Sequence, residues 1–296
     1  MKVGLCLPYM ERDYHRKDIL DWCRRIDQGP FSSLSCGERI TGYTLEMRML
    51  LGAAAAVTER VRIVPSLYVL PMHSAVWAAK EIATLDELSA GRVTVTVGVG
   101  GRENDYRAVD ASFARRHQRM DEQVAVMRDI WAGKPPFEGC DEVGPRPVQP
   151  GGPPILAGAM GPKAIARAAR WADGLYGFSM GSEKEQTRHM MDMTGSAWNE
   201  AGREEKPYFV GGFWFSLTAD AENRLKSYVF DYVRNFGDEV ARQLADSMTR
   251  HTPGAVTEVM AELDELGVDE IFLVPATADL REIDELESLM AKAGWA

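Results

Sequence analysis

Eight apolar runs of strand character, the helical segments between them and a length of 296 residues predict a single (β/α)8 TIM barrel spanning residues 1–296. The runs show no polar alternation, as expected of parallel strands covered on both faces. The first, KVGLCLP at 2–8, ends at Pro8, and DILDWCRRI at 18–26 follows with Ile19, Trp22, Cys23 and Ile26 on one helical face. FSSLSC at 31–36 leads into an alanine-rich helix ending in AAAAVTERV. The next run, 61–69, lies within VRIVPSLYVLP and is β-branched, held extended by its prolines. SAVWAAKEIATLDEL at 74–88 is amphipathic, Gly91 stops it, and 92–99 is the plainest buried strand of the chain. A long helix is expected from Ala111 to Trp131, and the Pro/Gly-rich stretch 132–154 is a loop. Strands are expected at 154–158, 174–178, 208–217 and 270–274, with LREIDELESLMAKAG as a last helix.

The rival architecture, a doubly wound dinucleotide fold, needs a third glycine after Gly98 and Gly100, where Glu103 stands instead. A core of the expected size is consistent with 45% hydrophobic residues. The net charge of −10 opposes attraction to nucleic acid or anionic membrane, so any anionic ligand needs a local basic site. The first apolar run is too short for a leader or a membrane span, from which a cytoplasmic location is expected. Cys6, Cys23, Cys36 and Cys140 have neither metal-ligand nor disulfide-framework spacing and read as buried or free thiols; no metal site is expected.

In such barrels the chemistry lies where strands end. That singles out Pro8, Glu38, Ser66 to His73, Gly98 to Asn104, Gly158 to Pro162 and Ser179. In AGAMGPKAIARAARWADGL, 157–175, Gly161 suits a cap and Pro162 the first helical position. Ile165, Ala168, Ala169 and Ala172 form one face; Lys163, Arg167 and Arg170 form another. A lysine in a first turn opposes the helix dipole by about 0.3–1 kcal/mol, which an anion at the cap would offset. The N–H groups of 159–163 suit a phosphate; the other reading is a solvated lysine above a tight glycine turn.

Four blocks carry a resemblance to a known family: TLDELSAGRVTVTVGVG, RHQRMDEQVAVMRDIWAG, AGAMGPKAIARAARWADGL and HTPGAVTEVMAELDELGVDEIFLVP. In this order they resemble the luciferase-like flavin and deazaflavin oxidoreductases, the bacterial luciferase-like monooxygenase superfamily. The resemblance implies a barrel that binds FMN or the deazaflavin coenzyme F420 at the carboxyl ends of its strands. The AMGPK turn resembles the F420-dependent branch, whose turn holds the cofactor phosphate. It implies cofactor-binding roles for Gly158, Ala159, Met160, Gly161, Pro162 and Lys163. Pro65, Ser66 and Leu67 resemble the family's third strand, where a non-prolyl cis peptide, by position Ser66–Leu67, backs the ring. Gly98, Val99 and Gly100 allow close approach of the ligand, and Asn104 falls where deazaflavin enzymes place an asparagine on the ring.

Two departures stand beside this likeness. Alcohol and sugar-phosphate dehydrogenases of the family carry an acidic–His pair after the second strand, where this chain has Glu38-Arg39. They also carry a glutamate where this chain has Gly101, with Glu103 two residues on. Glu38 reads either as an acid or base once partly buried, or as the partner of Arg39 in a rim salt bridge. His73 reads as a proton donor or acceptor, or as a loop residue capping the next helix; His15 lies within reach of the mouth. Tyr9, Tyr43, Tyr68, Trp77 and Phe178 supply aromatic wall or packing, whereas His117, His189 and His251 are given no role. Asp86 and Arg92 are expected to fix the loop below the barrel. The Met-rich segment 179–200 and the loop after strand 7 are the variable parts where substrate is chosen.

The resulting expectation is an oxidoreductase moving hydride between F420 and a small organic substrate. The alternative is a monooxygenase using reduced FMN and O2, with a partner reductase. A third reading, supported by the two departures, is a barrel that binds cofactor without catalysis. Self-association as a homodimer is implied by the resemblance alone.

Overall fold

Each strand pairs in parallel with the next, and β1 closes the circle on β8. The computed structural model describes residues 1–180 and 183–295. The barrel consists of β1 Lys2–Cys6, β2 Ser33–Cys36, β3 Arg62–Tyr68, β4 Val95–Val97, β5 Ile155–Gly158, β6 Gly174–Tyr176, β7 Tyr208–Phe215 and β8 Glu270–Pro275. Between the strands run α1 Arg16–Gln28, α2 Met47–Val57, α3 Ala75–Leu88, α4 Glu103–Ala108, α5 Arg116–Trp131, α6 Pro162–Ala168, α7 Glu183–Glu200, α8 Ala221–Val233, α9 Asp238–Asp246 and α10 Pro253–Glu265. Helix α11, Arg281–Ala293, follows β8. The architecture is the expected one. Gly181 and Ser182 of the variable segment lie outside the described residues.

Two elements differ from the sequence expectation for identifiable reasons. The fourth strand is three residues long, not eight: Val93 reaches β3 only through an isolated bridge to Ile63, since Pro65 has no N–H to continue the ladder, and β3 then bulges, Ser66 pairing with Thr96 and Tyr68 with Val97 with Leu67 as the extra residue. The peptide Ser66–Leu67 is cis, as the resemblance implied. The helix expected from Ala111 begins instead at Arg116, because Arg115 is left-handed at φ +58° and Ala111 N–H donates to the Tyr106 carbonyl, folding the chain back on α4.

Inside the barrel Val64, Leu156, Tyr176, Val210 and Phe272 pack together. At the amino-terminal end, fully buried Glu270 accepts hydrogen bonds from Ser32 and Ser33 (2.6 and 2.7 Å) and from Tyr208 (2.9 Å), and pairs with Arg62. A buried carboxylate survives where its lone pairs are met in this way. Polar closure below leaves the carboxyl ends above free for a site. Cys6, Cys23 and Cys36 are buried, and none of the four thiols is bonded to another. Among the described residues no helix is long and apolar enough to cross a membrane.

Asp86 and Arg92 hold the lower loops as expected. Asp86 accepts from Gln149 N–H at 3.0 Å and Nε2 at 2.7 Å. Arg92 donates to the carbonyls of Val61, Thr58 and Ser89 at 2.6–2.7 Å. Removing that fork leaves three carbonyls short of a donor, so Arg92→Ala should cost about 2 kcal/mol and lower Tm by roughly 5 °C in calorimetry. Ligand affinity at the opposite end should be unchanged.

Candidate active site

Two adjoining cavities open at the carboxyl ends of the strands, one of about 200 Å³ and one of about 870 Å³. They meet over Leu67, the bulged residue of β3, and share Gly100, Gly101, Arg102 and Met160. Backbone shape explains why Leu67 can lie there. A Cβ on Gly98 would come within 2.7 Å of the Leu67 side chain, and one on Gly158 within 2.4 Å. Gly100 has φ +60°, and its added Cβ would meet Val69 at 2.9 Å.

The large cavity is bounded by Val99 and Gly100 on one side and by the run Gly158, Ala159, Met160, Gly161, Pro162 and Lys163 on the other. Gly161 caps α6 with extended backbone, and a side chain added there meets nothing within 4 Å. Among the described residues, no acceptor meets the N–H groups of Met160 or Gly161. Among the described residues the lining carries no aspartate or glutamate; its charge-bearing side chains are Arg102, His117, Lys163 and Arg167. Arg167 is paired with Asp121 at 2.5 Å. Lys163 and Arg102 have no carboxylate partner within salt-bridge distance among the described residues. Burial, with Arg116 and Arg167 nearby, holds His117 below the usual histidine range, which favours its neutral form.

Glu38 lines the small cavity with its side chain only 3% exposed. One carboxylate oxygen meets His73 Nε2 at 2.7 Å and the other accepts the Val69 N–H at 2.6 Å. His73 lines neither cavity and touches the small one only through its contact with Glu38. Its carbonyl accepts from Gln123 Nε2 at 2.7 Å, and its ring lies edge-on to Tyr68, 4.9 Å between centroids. The salt bridge from Glu38 to Arg39 does not form: the Arg39 Nε donates to the Thr41 carbonyl at 2.6 Å. The acidic–His pair missing from consecutive positions is thus assembled across 35 residues, from the ends of β2 and β3.

Other sequence candidates are placed differently. Asn104 is exposed on α4 and lines neither cavity, because α4 turns it outward while Asp105 is buried. Asp105 accepts from the Ile40 and Thr41 N–H groups at 3.3 and 2.9 Å and anchors the loop after β2. Ser66 lines the small cavity; Pro65 is buried within β3 and, like Gly98, supports Leu67 without lining a cavity. His15 caps α1 and is exposed. Tyr9 and Phe178 line the small cavity, whereas Tyr43 and Trp77 are exposed and Tyr68 donates to Glu81 at 2.6 Å. Missed by the sequence reading were Tyr176, Trp214, Tyr228 and Tyr232 of the small cavity and His117 of the large one. Their only sequence signal is position near a strand end or on α8 and α5.

A closed parallel eight-stranded barrel with a cavity pair at the carboxyl ends of its strands is the framework of a barrel enzyme. The chain belongs to the luciferase-like monooxygenase family, which it matches over residues 1–291, and it is an enzyme of that family. An uncharacterized protein of Mycobacterium tuberculosis is 33% identical over 178 residues, 56% of this chain and 61% of that protein. Pyrimidine monooxygenase RutA of Escherichia coli is 31% identical over 151 residues, 47% of this chain and 41% of RutA. The match thus spans less than two thirds of these relatives. Among solved structures, an F420-dependent secondary alcohol dehydrogenase in complex with an F420–acetone adduct superposes with TM-score 0.81 at 19% identity, covering 99% of this chain and 98% of that one. The oxygenating constituent of 3,6-diketocamphane monooxygenase of Pseudomonas putida, in complex with FMN, gives 0.75 at 18% identity, covering 99% and 97%. At these identities the likeness speaks for the fold alone.

Proposed function

We propose that this chain is an F420-dependent oxidoreductase that moves hydride between the deazaflavin and a small organic substrate. The observation that carries the reading is the cavity pair over Leu67, with Glu38 and its partner His73 at the small chamber and the basic side chains of Arg102 and Lys163 on the large one. The residues fit such a cofactor. Leu67 and the bare backbone of Gly98, Gly100 and Gly158 leave a smooth floor for a planar ring, and the Gly158 to Lys163 run suits its phosphate. When bound, the deazaflavin supplies the site that accepts or gives hydride.

The protein's own residues supply position and a proton. Glu38 faces the substrate chamber and takes or returns the proton that accompanies hydride transfer. His73 exchanges that proton across the 2.7 Å bond, while the Val69 N–H fixes the carboxylate's orientation. Aromatic and aliphatic walls keep the chamber dry, which strengthens each of these interactions.

A second reading is a monooxygenase using reduced FMN and O2; the likeness to the pyrimidine monooxygenase supports its oxygenation step. Fluorescence titration of the purified protein with oxidised F420 and with FMN separates the two. Saturable quenching of F420 at micromolar concentration, with weaker FMN binding, is expected; tight FMN binding with no F420 response would overturn the proposal.

A further inference from the structure

The two ring nitrogens of His73 face different surroundings. Nε2 lies 2.7 Å from Glu38 Oε1, a separation that needs a proton between them, so Nε2 carries it toward the carboxylate and the neutral ring leaves Nδ1 as a bare acceptor. Nδ1 has no partner among the described residues. Nor is it a sealed atom without one, as Gln123 Oε1 and Thr96 Oγ1 are, so water reaches it on a side chain 12% exposed. His73 borders neither cavity, and that water is therefore outside both. Glu38, almost wholly buried, borders the small one.

The carboxylate and the imidazole thus span the wall, with the chamber on one side and solvent on the other. Both are held in place for this. The Val69 N–H fixes the second carboxylate oxygen, the Tyr68 ring stands edge-on to the imidazole, and the His73 carbonyl accepts from Gln123 Nε2 at 2.7 Å and from Arg119 at 3.3 Å. The charged and titratable groups around the ring are Glu38 from the loop after β2, Tyr68 of β3 with Glu81 of α3 behind it, and Arg119 of α5. Among these only Glu38 meets a ring nitrogen.

We infer that Glu38 and His73 form a proton passage through the barrel wall, by which a chamber filled with substrate and cofactor exchanges a proton with the solvent outside. Nδ1 takes a proton from water, Nε2 passes its own to Glu38, and Glu38 yields it to an acceptor in the chamber. The pair keeps its net charge, and one proton has crossed. The reverse sequence carries a proton out. Each passage leaves the ring in its other tautomer, which water on both sides restores once the chamber empties. Coupling of the passage to turnover rests on the hydride-transfer reading above; the passage itself does not.

NMR of protein with 15N-labelled histidine tests this, His73 being identified by the signals lost in His73→Gln. The cavities are left empty, filled with oxidised F420, or filled with FMN. Nε2 should hold the proton and Nδ1 be bare near neutral pH. On acidification the Nδ1 signal should move continuously to its protonated position in empty and filled protein alike, the mark of rapid exchange with solvent. The opposite tautomer, or a ring that stops responding once the cavities are filled, would overturn the inference.

Turnover of cyclohexanone with reduced cofactor, followed by stopped flow, supplies a second readout. His73→Ala should lower kcat about a hundredfold with cofactor affinity close to the parent value. Added imidazole should restore the rate about tenfold, whereas 1-methylimidazole, a similar base whose methylated nitrogen passes no proton, should not. Equal rescue by both would make the ring a spacer behind Glu38 and overturn the passage. Should His73→Ala fail to fold, or cyclohexanone not turn over, the NMR response of the parent chain decides. A passage seen in FMN-filled protein that shows no response to F420 would sink the cofactor reading alone.

Discussion

Glu38→Gln should lower kcat by about 10³-fold while leaving cofactor affinity and Tm close to the parent values. The amide is isosteric and keeps an acceptor for the Val69 N–H, so the loop after β3 retains its 2.6 Å contact. What it lacks is the ability to carry a proton between substrate and His73. The side chain is almost wholly buried, which leaves water a poor substitute. His73 acts one step behind, as a positioning residue. His73→Gln should hold Glu38 through a hydrogen bond yet change the pH profile of kcat, a readout that a purely structural role would not move. Stopped-flow measurement of cofactor oxidation or reduction, compared with equilibrium binding of the cofactor, checks both. A kcat within threefold of the parent for Glu38→Gln would remove the carboxylate from the chemistry.

Gly161→Asp should weaken the cofactor roughly a hundredfold, about 3 kcal/mol, with no loss of stability. The position separates charge from sterics. Its backbone is extended at φ −113°, and an added side chain meets nothing within 4 Å. Aspartate is also a better helix cap than glycine, so α6 gains slightly by the change. The remaining effect is a negative charge beside the N–H groups of Met160 and Gly161 and the Lys163 ammonium, where the phosphate is proposed to lie. Fluorescence titration gives the affinity and calorimetry the stability. Unchanged affinity for both F420 and FMN would leave the turn a purely structural feature.

Much of the scaffold was legible because it depends on local patterning. Short runs of strand character between helical segments marked all eight strands, and Pro162 after Gly161 marked the start of α6. The resemblance carried the Ser66–Leu67 cis peptide, which no local pattern reveals. Errors arose where the outcome depends on how elements meet. The shortening of β4 follows from Pro65 and the bulge in its neighbour, and the exposure of Asn104 follows from the turn of α4 around buried Asp105. Glu38 and Arg39 are adjacent and of opposite charge, so a local reading pairs them; the fold gives Glu38 to His73 and Arg39 to the Thr41 carbonyl.

The sequence by itself determined a parallel barrel, its family and the turn on which a cofactor phosphate is proposed to rest, since periodicity, glycine and proline placement and motif order are written along the chain. Only the tertiary structure decided which carboxylate meets which histidine and that Tyr9, after β1, shares one chamber with Tyr228 and Tyr232 of α8. The physical reason is distance along the chain. Residues 35 or more than 200 positions apart become neighbours only when closure of the sheet brings the strand ends into one ring, and no period or spacing records that meeting in advance.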